Sequence, residues 1–166
     1  MLVTSRQLED GCLAAPRLPC YESDVPPPPL PPNLQRFLKE PRPAVIAALR
    51  SDGSPVTAPC WYEWIDGRLL VSMDADGRRI KNIRRDTRIA LSMLGDPWYT
   101  HVSLFGHAIE IHDDVGLVDA DRLSNRYLGE PYDRREHPGV TVIIEVDGWH
   151  TWGDPSAATP RAAGPH

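Results

Sequence analysis

Two Asp-Gly pairs set close together, Asp52-Gly53 and Asp66-Gly67, do most to limit how this chain can fold. Glycine after aspartate accepts the positive φ of a tight hairpin, so each pair marks a reversal between antiparallel neighbours. The runs they separate are Ala44 to Leu49, Pro55 to Trp64 and Arg68 to Met73, which predicts three contiguous antiparallel strands. Strand-like runs return at Arg88 to Leu94, Trp98 to His112 and Val140 to Val146. The second of these should bend or bulge near Gly106, because glycine inside a strand often marks such a site. Short helices are expected at Leu34 to Lys39, ending near Pro41, at Arg78 to Asp86, and at Val118 to Tyr127, where Leu117, Ala120, Leu123 and Tyr127 recur at helical spacing. Six strands with two or three small helices predict a mainly β, closed antiparallel barrel, since closure removes exposed strand edges.

A chain of 166 residues with 41% hydrophobic content buries one moderate core, so one domain is expected. Residues 1–33 contain Pro26 to Pro29 and Pro31-Pro32, whose missing amide donors favour an extended arm. Residues 154–166, rich in Ala, Pro and Gly, read as a tail that frays, which leaves 34–153 as the folded domain. Cys12, Cys20 and Cys60 are odd in number and include no C-x-x-C pair, so neither a disulfide scaffold nor a zinc site is expected. No window approaches the roughly 18 apolar residues of a membrane span, and the N-terminus lacks the layout of a secretory signal. The expected location is cytoplasmic, with no membrane partner. A formal net charge of -5 argues against nucleic acid as a partner, although a local basic patch can still bind a specific phosphate.

Such a patch exists in the run Arg78-Arg79-Ile80-Lys81-Asn82-Ile83-Arg84-Arg85, placed just after a strand. It reads either as a phosphate grip or as a solvated helix face balanced by Asp74, Asp76 and Asp86. Other chemistry is sparse. Of His101, His107 and His112 along one strand region, His101 and His107 could share a face, but no third convergent ligand is identified, so no metal site is expected. No G-x-S-x-G elbow supports acyl transfer, and Cys60 falls on a strand expected to be buried and inert. Trp61 and Trp98 are the aromatics read as pocket lining; Tyr62, Trp64 and Trp149 read as packing.

Taken in order, several stretches resemble the split β-barrel flavin and deazaflavin proteins related to pyridoxamine 5'-phosphate oxidase. They are Ala44 to Pro55, Trp61-Tyr62 with Asp66-Gly67-Arg68, Arg79 to Arg88, Trp98 to Ser103 with Gly106, and Arg126-Tyr127 before Gly129-Glu130-Pro131-Tyr132. The chain is most similar to the actinobacterial branch that uses coenzyme F420. The resemblance implies a six-stranded antiparallel split β-barrel that dimerises with its cofactor sites at the subunit boundary. It also implies that Arg79 and Lys81, ahead of Asn82 and beside Arg78, hold the cofactor phosphate. Arginine at 79 keeps the charge of the family's lysine and adds a planar fork for two oxygens. Gly77 replaces a common Ser and Thr87 a common Pro. By the same resemblance, backbone near Pro59 and at Ser72-Met73 lies along the cofactor ring, while Trp98 and His101 come from the partner subunit.

A flavin or deazaflavin carries hydride chemistry on its own ring, so no catalytic side chain is assigned. The expected function is an F420-dependent oxidoreductase acting on a small unsaturated or heteroaromatic substrate. The alternatives are an FMN-dependent oxidase and a module that holds flavin, deazaflavin or haem without turnover.

Overall fold

The computed structural model describes residues 29–155. Its first element is α1 (Pro32–Leu38), which buries Leu34, Phe37 and Leu38. The helix begins inside the stretch read as an arm. Proline suits the first helical turn because the amide it lacks has no partner there in any case. Residues 1–28 of the arm, including Pro26 to Pro28, and 156–166 of the tail lie outside the described residues.

Seven strands follow: β1 (Ala44–Leu49), β2 (Pro55–Cys60), β3 (Glu63–Ile65), β4 (Arg68–Asp74), β5 (Arg88–Leu94), β6 (His101–Asp114) and β7 (Gly139–Trp152). They make one sheet in the order β2-β1-β5-β6-β7-β4-β3, and every neighbouring pair is antiparallel. The count is seven rather than six because the run Pro55 to Trp64 breaks at Trp61-Tyr62. Its first half pairs with β1 and its second with β4, at opposite edges of the sheet. The three strands expected to be contiguous are therefore not. Only three Cα steps separate Cys60 from Glu63, at most about 11 Å, so the two edges must curl toward each other at this corner. The broken strand thus ties the barrel shut.

The split has a second cause in the length of β6 and β7, 14 residues each. One end of β6 (His101 to His107) pairs with β5, while the opposite end of β7 (Gly139 to Ile144) pairs with β4. Their mutual register shifts between Phe105 and Gly106 and again between Ala108 and Glu110. The expected bulge at Gly106 is present, and only glycine fits it: a Cβ there would stand 2.1 Å from the Glu145 carbonyl oxygen. Strand β6 starts at His101, not Trp98, because residues 95–100 form a turn in which Gly95 N–H donates to Thr100 O. Strand β7 runs past the expected Val146 to Trp152.

Alternation sorts the side chains cleanly. Ala58, Ile46, Leu91 and Leu104 are successive partners facing the core, and Ile46, Leu91 and Leu104 are buried. One residue over, Pro59, Val45, Ser92, Ser103 and His150 form the matching row on the outer face. The Ser92 and Ser103 hydroxyls meet there at 2.9 Å. Helix α2 (Arg78–Arg85) is too short to persist alone. It is pinned by Ile80 and Ile83, both fully buried, at about 1.5–3 kcal/mol each. Helix α3 (Val118–Leu128) follows a 3-10 turn, Val115–Leu117, with Leu117 in the left-handed region at φ 60°. Instead of a side chain at the helix start, the Asp114 carboxylate caps it, accepting from the Asp119 and Ala120 amides at 3.0 and 2.9 Å. No described helix is long and apolar enough to cross a membrane.

Candidate functional site

The basic run starts four residues after the end of β4, and its first turn is open. Gly77 is the N-cap and contributes no side-chain hydrogen bond, so the leading amides of α2 are left to an outside acceptor. Such an end attracts anions. The cations behind it divide by their partners. Arg85 is structural: its guanidinium donates to Leu49 O at 2.5 Å and to Asn82 Oδ1 at 3.3 Å, fastening α2 to β1. Arg88 pairs with Asp86 at 2.6 Å, and that hydrogen bond holds the Asp86 carboxyl down at about 2. Arg78, Lys81 and Arg84 are exposed and have no side-chain partner among the described residues.

Arg79 is half-buried and turns toward the end of β2. Burial pushes the Cys60 thiol up to about 11, with the Arg79 charge opposing that rise, so the two groups are electrostatic neighbours. A thiol so far above neutral pH is inert. Arg79 thereby connects the start of α2 with Pro59, which is exposed on the outer face one residue before Cys60.

Trp61, at the corner between β2 and β3, stacks on Tyr127 of α3 with ring centres 5.6 Å apart and planes 20° apart. The Tyr127 hydroxyl lies 3.0 Å from Arg42 O and 3.3 Å from both Tyr62 N and Tyr62 O. Burial raises both phenols, Tyr62 and Tyr127, above their usual range, so both stay protonated. Ser72 and Met73 sit opposite Thr141 and Val140 at the end of β4. Trp61, Ser72 and Met73 are brought together around a cavity of about 60 Å³, completed by Leu117, Leu123, Tyr132 and His137. Cofactor-sized sites run to roughly 300–1,000 Å³. A tricyclic ring therefore cannot enter this cavity.

Trp98 and His101 stand apart. Met73 is opposite Val140 and His101 opposite Trp152, so nearly the whole of β7 lies between them, on the order of 40 Å along the strand. Trp98 is 74% exposed against Tyr99, and His101 Nδ1 lies 3.0 Å from Tyr99 O. His101 does share the outer face with Pro59, since it is two residues from Ser103 on β6. Within one chain these two residues do not reach the cavity. Tyr132 and His137 were not singled out as site residues from the sequence. Tyr132 falls in the Gly129-Glu130-Pro131-Tyr132 motif, whereas His137 has no local signal. Among the described residues no group of three or more His, Cys, Asp or Glu is arranged for a metal ion.

No curated protein matches the sequence. Several solved structures share the fold. An F420 reductase is 22% identical over 73% of this chain and 98% of its own, with a TM-score of 0.66. The conserved hypothetical protein Rv2991 of Mycobacterium tuberculosis is 25% identical over 80% of this chain and 90% of its own, TM-score 0.59. HupZ of Group A Streptococcus is 17% identical over 80% and 99%, TM-score 0.54. The family profile of pyridoxamine 5'-phosphate oxidase matches residues 30–153, nearly all of the described fold, and the chain accordingly belongs to that family of split β-barrels.

Proposed function

We propose that the protein is an F420-dependent reductase that passes a hydride from the reduced deazaflavin to a small unsaturated or heteroaromatic substrate. One observation carries the reading: unpartnered cations gather at an uncapped helix start, directly beside an open outer face. When bound, the cofactor supplies the hydride chemistry from its own ring. The protein's share is to hold and orient. Arg79 and the leading amides of α2 take the phosphate, with Arg78 and Lys81 adding charge, and backbone at Pro59 and Ser72-Met73 lines the ring.

The likeness to an F420 reductase favours F420, while the family name keeps FMN as the second reading, since both cofactors present a phosphate to such a cluster. The outer face, carrying Phe105 at 50% and Trp152 at 62% exposure beside Val45 and Ala47, supports a homodimer that covers it. Dimerisation is also how Trp98 and His101 would reach a site, that of the other protomer.

The test is a titration of purified protein with F420 and FMN, followed by cofactor fluorescence. Replacing Arg79 and Lys81 together by Ala should weaken the bound cofactor by at least tenfold, because each charge-assisted hydrogen bond contributes about 1.5–3 kcal/mol. Unchanged affinity refutes the phosphate role. Saturation by FMN but not F420 replaces the first reading by the second. Binding without consumption of reduced cofactor across quinones, enones and tetrapyrroles reduces the protein to a carrier.

A further inference from the structure

Strand register brings together two histidines that are remote in the sequence. His101 is the partner of Trp152, and Ser103, two residues further along β6, is the partner of His150. His101 and His150 are therefore diagonal neighbours on the outer face, a separation that long side chains bridge. Their ring centres lie 6.0 Å apart, with planes tilted by 48°. The other two histidines of β6 are engaged elsewhere: His107 Nδ1 lies 2.9 Å from Asp147 Oδ2 and His112 Nδ1 3.1 Å from Glu110 Oε1.

The state of the pair follows from its contacts. His101 Nδ1 lies 3.0 Å from Tyr99 O. A carbonyl only accepts, so Nδ1 carries the proton and the neutral ring keeps a free lone pair on Nε2. The same contact fixes the ring, in the way that a backbone carbonyl orients a metal-bound histidine. His150 is exposed, and among the described residues nothing hydrogen-bonds to its ring. The residues flanking the pair on this face, Leu94, Trp152, Ser92, Ser103 and Phe105, are all uncharged. None of them repels a cation, and none offers the carboxylate oxygens that magnesium or calcium needs. Two imidazole nitrogens in neutral surroundings suit zinc, copper or nickel. Metal–nitrogen bonds of about 2.0–2.1 Å at a tetrahedral angle set two imidazole centres roughly 5 Å apart. The pair stands at 6.0 Å, and a small rotation of the exposed His150 ring closes the difference.

We propose that His101 and His150 form an open site for a borderline divalent cation of the zinc class, held by the two imidazoles with water in its remaining positions. Resident zinc takes three or four protein ligands, so an ion held by two exchanges with its surroundings. The site lies nearly the length of β7 from the cavity beside Trp61, and it needs neither F420 nor FMN.

The experiment titrates metal-stripped full-length protein with zinc chloride by calorimetry, without cofactor, and with magnesium chloride as the hard-ion control. One zinc per chain is expected, and no heat from magnesium. His101→Ala and His150→Ala should each weaken zinc by at least about tenfold, the least that loss of even an outer partner costs a metal site. His107→Ala and His112→Ala should leave it unchanged. One equivalent of copper(II) should give an electron paramagnetic resonance spectrum split by two imidazole nitrogens in the parent and by one in either single variant. Circular dichroism of each variant establishes that the fold is retained. Unchanged zinc affinity in His101→Ala or His150→Ala, an equal loss in His107→Ala, or a copper spectrum with a single imidazole in the parent overturns the site. Zinc uptake at this pair by a protein that takes no F420 removes only the reductase reading; F420 uptake without zinc removes only the cation site.

Discussion

Tyr127→Phe removes one oxygen atom, and its cost can be worked from the surroundings. The hydroxyl sits among Arg42 O at 3.0 Å, Tyr62 N at 3.3 Å and Tyr62 O at 3.3 Å. With a single proton it donates to the nearer carbonyl, Arg42 O, and accepts from the Tyr62 amide. Both partners belong to buried residues, Tyr62 at 0% and Arg42 at 3% exposure. Deleting the oxygen strands one donor and one acceptor away from water, each at about 1–3 kcal/mol, partly relieved by local adjustment. A total near 2 kcal/mol follows. A domain of this size shifts by about 4 °C per kcal/mol, so Tm should fall by roughly 8 °C. The ring remains, so its stack on Trp61 survives and the Trp61 side of the cavity keeps its shape. Tyr127→Leu removes the stack as well and should cost about 0.5–1.5 kcal/mol more. Urea unfolding of the three proteins, read by tryptophan emission, measures both steps. A Tyr127→Phe variant within about 0.5 kcal/mol of the parent refutes the hydrogen-bond account.

Two further outcomes test the frame around the site. Gly106→Ala drives a Cβ to 2.1 Å from the Glu145 carbonyl oxygen, a backbone atom that cannot swing aside, so a loss of more than about 3 kcal/mol or of soluble protein is expected, measured by denaturant unfolding. Asp121→Asn should loosen the loop carrying Tyr132. The Arg135 hydrogen bond, followed by the Tyr132 amide, holds the Asp121 carboxyl below its ordinary value. Its contribution is therefore complete above the unfolded value near 3.9 and is lost as pH falls through the lower folded one. The gap in Tm between parent and Asp121→Asn should persist from pH 7 to 5 and close below that window; a gap that widens in acid contradicts the assignment.

The local grammar of the fold was readable wherever turn chemistry and burial agreed. Both Asp-Gly reversals occur, with Gly53 and Gly67 at positive φ, and the runs Ala44–Leu49 and Arg88–Leu94 have the expected bounds. Failure came where apolar side chains continue through a change of direction. Trp61-Tyr62 carries no glycine, proline or aspartate, and Tyr62 is fully buried, so the corner that divides β2 from β3 is invisible to a pattern of hydrophobicity. The end of β7 was missed for the opposite reason. Asp147-Gly148 has the look of a turn, but Gly148 is paired with Phe105 inside a long ladder. Helical spacing did find Ala120 and Leu123, the wall of the cavity, without showing that a cavity was there. His137 depends on a ten-residue loop held by Asp121 and Ala75, contacts that no local reading of the sequence supplies.

The placement of β7 sets the order of events in biosynthesis. Of the seven strands it leaves the ribosome last, yet it is seated in the interior of the sheet between β6 and β4. Until it arrives, both neighbours present unpaired backbone edges, the state most open to pairing with another chain. Gly139, its first residue, also lines the cavity, so a nascent protein holds every cation of α2 and still has no finished site. The cavity is thus closed by the last strand to be made, and a translation product halted before Gly139 keeps two open sheet edges in place of that wall.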